Sequence, residues 1–176
     1  MLQLSIPNGE YFDERTEEFI NIDACTLRLE HSLLSISKWE SKWCKPFLGK
    51  EEKTDEMLRD YIRCMTLNKD VNPMVYSVLS NSDLLRIKEY INAPMTATWF
   101  REDRNRAPSR QIITSELIYY WMIAQNIPIE CEKWHLNRLF TLIHICGEKN
   151  KDPKKMSKKD RASLMAKRRA ASHKKH

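Results

Sequence analysis

The sequence predicts a predominantly α-helical α+β protein, with about six helices after a small N-terminal β element and a basic tail at its C-terminal end. Three observations predict it. The apolar period changes from two to between three and four near Ser32, the prolines fall between apolar stripes, and the charge is distributed unevenly along the chain. With 176 residues, three glycines, 41% hydrophobic and 31% charged residues, the composition is that of a helix-leaning globule and excludes a fibre or a fully disordered chain. That length suits one domain, expected over residues 1–147, plus a tail over 148–176 that is disordered or marginally helical.

At the N-terminus, "LQLSI" alternates with period two, "PNG" is a turn signal, and "FINI" and "TLRLEH" are candidates to pair with the first strand. From Ser32 onward, Leu33, Ile36, Trp39 and Trp43 recur at helical spacing, predicting a helix that ends near Lys45, before Pro46. Thr54, followed by two acids, is a helix start, and Leu58, Tyr61, Ile62 and Met65 give that helix one buried face. A short helical turn is expected at Pro73. Ser82 is the expected cap of the next helix, whose stripe is Leu84, Leu85, Ile87 and Ile91 and which stops at Pro94. The charged stretch 101–110 interrupts the pattern. Thr114 or Ser115 then caps "ELIYYWMIAQ", which is apolar on nearly all sides and is therefore expected at the centre of the core. A last helix is expected from beyond Pro128 to a left-handed cap at Gly147, and "SKKD" at 157–160 resembles the start of an exposed helix over 157–172.

The net charge of +6 hides a division. Twelve of the 30 Lys and Arg and three of the 24 acids lie in 148–176, a charge of +9, which leaves 18 basic and 21 acidic residues in 1–147, a charge of −3. A faintly acidic body with a basic tail follows, and Lys154, Lys155, Lys158, Lys159, Lys167, Arg168 and Arg169 are the candidate nucleic-acid contacts. No aromatic residue interleaves with them to stack bases, so a merely solubilising tail is the plainer reading. Five cysteines without pairing rhythm, and a start, "MLQLSIPNGEYF", that has neither a basic n-region nor an apolar core, lead to the expectation of a reducing cytoplasm. No apolar run approaches the ~20 residues of a membrane span, so no membrane association is expected.

"CEKWHLNRLFTLIHIC" is the one stretch that invites a metal. On a single helix, His135 falls about 40° from Cys131, whereas His144 points away and Cys146 lies about 22 Å along the axis. One zinc cannot span that distance, and no C-x-x-C or H-x-x-x-H supplies a second pair, so no metal and no cofactor is expected. Trp39 and Trp43 are the candidate partner-binding residues, with burial in an aromatic core alongside Trp99, Trp121 and Trp134 as the competing reading. Arg101, Arg104, Arg106 and Arg110 could grip phosphate or carboxylate, but interleaved acids favour a solvated loop. P-loop, dinucleotide, nucleophile-elbow and zincin motifs are all missing, and Glu116 is explained by its place in a first helical turn, so no catalytic residue and no enzymatic activity is expected.

The phrases "LEHSLLSISKWESKWCKPFL", "DYIRCMT", "APMTATWF", "IITSELIYYWMIAQNIPIECEKWHLNRLFTLIHIC" and "KKMSKKD" together resemble a family of small tail-module proteins of long-tailed bacteriophages. The resemblance spans roughly residues 26–160, with 112–146 the most distinctive part. It implies a tail assembly chaperone in the cytoplasm of the infected host. Its partners would be the tape measure protein, other tail proteins or further copies of itself. The family offers no functional residues to carry over. A structural minor tail or connector protein of the virion, and a nucleic-acid-binding accessory protein acting through the tail, are the alternatives. Purified protein should contain no stoichiometric metal, and a chelator should leave its melting temperature unchanged; about one zinc per chain on elemental analysis would contradict this reading of 131–146.

Overall fold

The computed structural model describes residues 1–13, 17–100, 111–150, 162–163 and 165–166. Strands β1 (Leu2–Ile6) and β4 (Cys25–Leu29) pair antiparallel, as do β2 (Gly9–Asp13) and β3 (Glu18–Ile22). The two ladders share one register. Ile6 faces Cys25, and three residues further along each strand Gly9 faces Ile22, so the chain forms one long hairpin interrupted at Pro7–Asn8 and Asp23–Ala24. Pro7 has no N–H to give a ladder, which accounts for the break. "PNG" therefore interrupts a strand instead of reversing it, and "FINI" pairs with β2 rather than with the first strand. Leu4, Ile6, Leu27 and Leu29 are the buried side of the proximal half, as period-two alternation requires.

Five α-helices follow among the described residues: α1 (Leu33–Trp43), α2 (Asp55–Met65), α3 (Asn81–Asn92), α4 (Ser115–Ala124) and α5 (Leu136–Lys149). Pro73–Tyr76 and Ile129–Lys133 are short 3₁₀ turns. Local chemistry starts most of the helices. Ser32 and Ser35 form a reciprocal cap on α1, with Ser32 Oγ accepting the Ser35 N–H at 3.2 Å and Ser35 Oγ accepting the Ser32 N–H at 3.0 Å. Thr54 caps α2 by accepting the Met57 N–H. The cap of α3 is Ser80, two residues before the expected Ser82, because Ser80 and Asp83 complete a capping box that Ser82 and Leu85 cannot.

Long-range bonds join these pieces. The exit of α2 lies along β4: Glu30 donates its N–H to the Met65 carbonyl at 2.9 Å and Leu67 donates to the Arg28 carbonyl at 2.8 Å, so residues 65–68 cover the outer edge of β4. Ser32 and His135 form an isolated antiparallel bridge, and the Leu136 N–H goes to the His31 carbonyl at 2.7 Å. This bridge explains why no single helix runs from Cys131 to Cys146. In a continuous helix the Leu136 N–H would bond four residues back; instead it is given to His31, Trp134 is extended, and α5 starts afresh. The expected cap at Gly147 is absent as well, since α5 runs through it to Lys149.

Leu33, Ile36 and Trp39 of α1, Tyr61 and Met65 of α2, Ile118 and Met122 of α4 and Leu136 and Leu139 of α5 belong to the core, all fully or almost fully buried. Contacts divide the chain into two units, residues 1–143 and 144–176. In the second, His144 and Glu148 face each other one turn apart at 3.8 Å, and residues 162–163 and 165–166 are helical. The rest of the expected 157–172 helix and the interrupting stretch 101–110 lie outside the described residues.

Against expectation, α4 is not central. Only Ser115, Ile118 and Met122 are buried, whereas Tyr120 is 63% and Ile123 72% exposed. A helix that is apolar all round needs neighbours all round, and α1 supplies only one side. Thr114 stands at its N-cap position but makes no side-chain capping bond to the backbone. The role passes to Glu40 of α1, buried, whose Oε2 accepts the Ser115 N–H at 2.7 Å while its Oε1 accepts the Phe47 N–H at 2.7 Å. Glu40→Ala leaves two amide groups without an acceptor and should cost about 2–4 kcal/mol in urea unfolding. Glu40→Gln, which keeps one carbonyl acceptor, should cost clearly less.

Candidate functional site

A groove of about 700 Å³ is lined by α2 and α3. Its lining comes from the two stripes visible in the sequence: Leu58 and Ile62 on α2, and Leu84, Leu85, Ile87 and Ile91 on α3. Phe47 and Tyr61 complete it, their rings stacked at a centroid distance of 3.9 Å. Phe47 also meets Trp39 edge-on at 5.2 Å, so the groove rests on the aromatic cluster of α1. Within the groove, Tyr61, Ile62 and Ile87 are buried, but Leu58 remains 44% and Leu85 60% exposed. Two leucines are thus held beside a preformed apolar hollow, and such placement suits a ligand that buries them.

Asp55, Arg59 and Lys88 are the charged lining residues. The Arg59 guanidinium is fixed in place by donating to the Tyr76 and Ser77 carbonyls at 2.8 and 2.7 Å. Neither Arg59 nor Lys88 forms an ion pair with a carboxylate among the described residues. The walls offer no backbone edge, because both are helices whose amides and carbonyls bond internally.

The two tryptophans singled out in the sequence fall on different sides of the surface. Trp39 is 1% exposed and its indole N–H donates to the Met57 carbonyl at 2.9 Å, so it is a core residue and offers no surface to a partner. Trp43 is half-buried and donates to Asp60 Oδ2 at 2.8 Å. Asp60 also accepts from Lys42 and Arg63 at 2.7 and 2.9 Å; burial acts to raise its pKa, but these three bonds outweigh it and hold the carboxyl below its usual range. Sequence reasoning passed over Asp60 and Glu40, since a carboxylate within an amphipathic helix gives no local sign of its distant partners. Trp99 does not join the core, being 85% exposed, and Trp134 stacks under the Arg138 guanidinium at 4.2 Å. The candidate nucleic-acid contacts Lys154, Lys155, Lys158, Lys159, Lys167, Arg168 and Arg169, and the arginines of 101–110, lie outside the described residues.

Among the described residues no three His, Cys, Asp or Glu side chains converge as metal ligands would. Cys131 sits in a 3₁₀ turn, and His135 just ahead of α5 packs edge-on against His31 with ring centroids 5.2 Å apart. The wheel that placed Cys131 and His135 on one helix therefore does not apply. Burial and then the neighbouring Glu130 push the Cys131 thiol up, away from the reactive thiolate. No helix among the described residues is long and apolar enough to cross a membrane. Comparisons with protein-family models, with curated proteins and with solved structures find no match to this chain.

The histidine pair is a polar knot inside the core. His31 Nδ1 and the Tyr61 hydroxyl share a hydrogen bond of 2.5 Å. His135 Nε2 donates to the Tyr90 carbonyl at 3.0 Å, and its Nδ1 accepts the Asn137 N–H at 3.3 Å, an arrangement that requires the neutral ring. Burial, and secondarily His135, lowers the His31 pKa from 6.5 to about 4, and burial likewise lowers that of His135 against the pull of its Tyr90 bond. Between those two values the unfolded chain binds a proton at His31 that the folded chain refuses, so stability falls as pH falls through this window. Urea unfolding should show a loss of about 2 kcal/mol from pH 7 to pH 5 from His31, with His135 acting in the same direction. A stability that is flat or rises over that interval would refute the neutral, buried pair.

Proposed function

We propose that this protein is a non-enzymatic bacteriophage tail assembly factor, a chaperone that keeps the tape measure protein soluble in the cytoplasm of the infected host during tail morphogenesis. Two things support the reading. The phrases between residues 26 and 160 resemble small tail-module proteins, and the groove of α2 and α3 offers an apolar ligand a preformed seat beside the exposed Leu58 and Leu85. The groove is the observation that carries it. A long helical client presents apolar stripes that aggregate unless covered, and covering them takes an apolar hollow with a polar surround and no catalytic group. The client's binding energy then comes from leucine and isoleucine side chains, which salt weakens little. The basic tail contributes electrostatic steering toward an acidic partner.

Co-expression with the tape measure protein of the same genome should raise that client's soluble yield, and the complex should survive moderate salt in a pull-down. Leu58→Asp and Leu85→Asp, both at exposed positions and so compatible with folding, should each abolish the gain. Replacing Lys154, Lys155, Lys158, Lys159, Lys167, Arg168 and Arg169 by glutamine should reduce it far less. An insoluble client together with salt-sensitive DNA or RNA binding that the glutamine variant loses would favour the nucleic-acid-binding protein instead. Presence of the chain in purified particles would favour a structural component of the virion.

A further inference from the structure

We infer that the groove of α2 and α3 binds a single amphipathic helix of about three turns whose apolar stripe is flanked by carboxylates. This narrows the reading above to one site and one ligand chemistry, and rests on it only for the source of the helix.

Each property of the ligand follows from the walls. The lining is mainly apolar, so the ligand presents an apolar face. Neither wall exposes a strand edge, so the ligand gains no backbone partner on binding and must satisfy its own amides and carbonyls, as a helix does and an added strand does not. On α3 the lining runs from Asn81 to Ile91, ten residue steps or about 15 Å of helix axis, so a helix lying along it engages about three turns. Leucines at i, i+4, i+7 and i+11 supply that stripe.

The charges decide the flanks. Arg59 and Lys88 bring two positive charges to the groove against the single negative charge of Asp55. Arg59 cannot swing away to be neutralised, since two carbonyls hold it, and Lys88 has no carboxylate partner among the described residues. A ligand with Glu or Asp beside its stripe meets both. The same charges disfavour a helix whose stripe is flanked by Lys or Arg. The Phe12–Phe19 pair across the β2–β3 ladder and the exposed Tyr120 and Ile123 of α4 are apolar surface as well, but they do not line this groove.

The test is fluorescence anisotropy on the intact chain with three labelled 14-residue peptides. One carries leucines at the four stripe positions and Glu on both flanks, the second carries Lys in place of Glu, and the third is the Glu peptide with a central proline. The Glu peptide should bind and the Lys peptide should bind three- to tenfold more weakly at low salt, with the difference shrinking as salt rises. The proline peptide should lose binding. Lys88→Glu should reverse or erase the preference between Glu and Lys peptides, and Leu85→Asp, checked for an unchanged circular dichroism spectrum, should abolish binding of both. Equal binding of the Glu and Lys peptides would overturn the charge assignment. Undiminished binding of the proline peptide would overturn the helix, and undiminished binding to Leu85→Asp, or no binding by any peptide, would overturn the site. If the intact chain is a dimer that Leu85→Asp turns into a monomer, the groove belongs to a second copy and the inference fails. Because no tape measure protein is present, peptide binding without rescue of that client leaves this inference standing and removes only the functional reading.

Discussion

The Glu40 carboxylate is the constraint on which the described body depends. A buried carboxylate is tolerated where donors are fixed around it, and among the described residues both donors to Glu40 are backbone amides from other parts of the chain. One is Phe47, seven residues on, and this bond turns the segment after α1 so that the Phe47 ring lies on Tyr61. The other is Ser115, at the first turn of α4, which therefore starts against α1 and not elsewhere. One side chain thus fixes part of the groove and the position of a helix 75 residues away. Both bonds meet on one buried carboxylate, so loss of that side chain loosens both segments from α1 at once.

A second polar junction closes the body from the other side. The bridge of Ser32 with His135 brings the start of α1 to the start of α5, and the neutral histidines fill the space behind it. This is a different device from Glu40. It depends on two groups remaining uncharged, whereas Glu40 accepts two backbone amides at the other end of α1. Tyr61 links the two, hydrogen-bonded to His31 on one side and stacked on Phe47 on the other, with burial pushing its hydroxyl pKa well up. The groove is therefore lined in part by a residue that also closes the core. A rigid seat follows, and a rigid seat lowers the ordering cost of binding.

How much of this was legible depends on whether the signal was local. The cap at Thr54 and the stripes of α1, α2 and α3 were readable, because each rests on residues three or four apart, whereas Ser32 marks only the change of period in the sequence. Ser80 was readable and was passed over, since its capping box with Asp83 stands in the sequence as plainly as the Ser82 that was preferred to it. The break at Trp134–His135 was not, because no proline or glycine marks it and the cause is a carbonyl more than a hundred residues earlier. The exposed side of α4 was not legible either. An apolar residue declares what it avoids, but only the fold decides whether anything covers it, and Tyr120 and Ile123 remain uncovered among the described residues.

The same limit explains why the candidate site was present in the sequence without being recognised. Leu58 is read from the sequence as part of a buried face, and Leu84, Leu85, Ile87 and Ile91 as the next apolar stripe; Ile87 is buried, whereas Leu58 and Leu85 stand exposed. A helical stripe assigned to a core and a stripe assigned to a ligand have the same period and the same residues. What separates them is the distance between the helices that carry them. When two stripes meet they close a core; when they stand apart at one end they form a hollow, and the aromatic stack of Phe47 on Tyr61 lines that hollow here. A surface built this way needs no residue type that a core lacks, so motif reasoning that looks for nucleophiles, metal ligands or phosphate loops passes over it. The charges beside the stripe are the informative part: Arg59 held by carbonyls and Lys88 without a carboxylate partner among the described residues are placements that packing alone does not require.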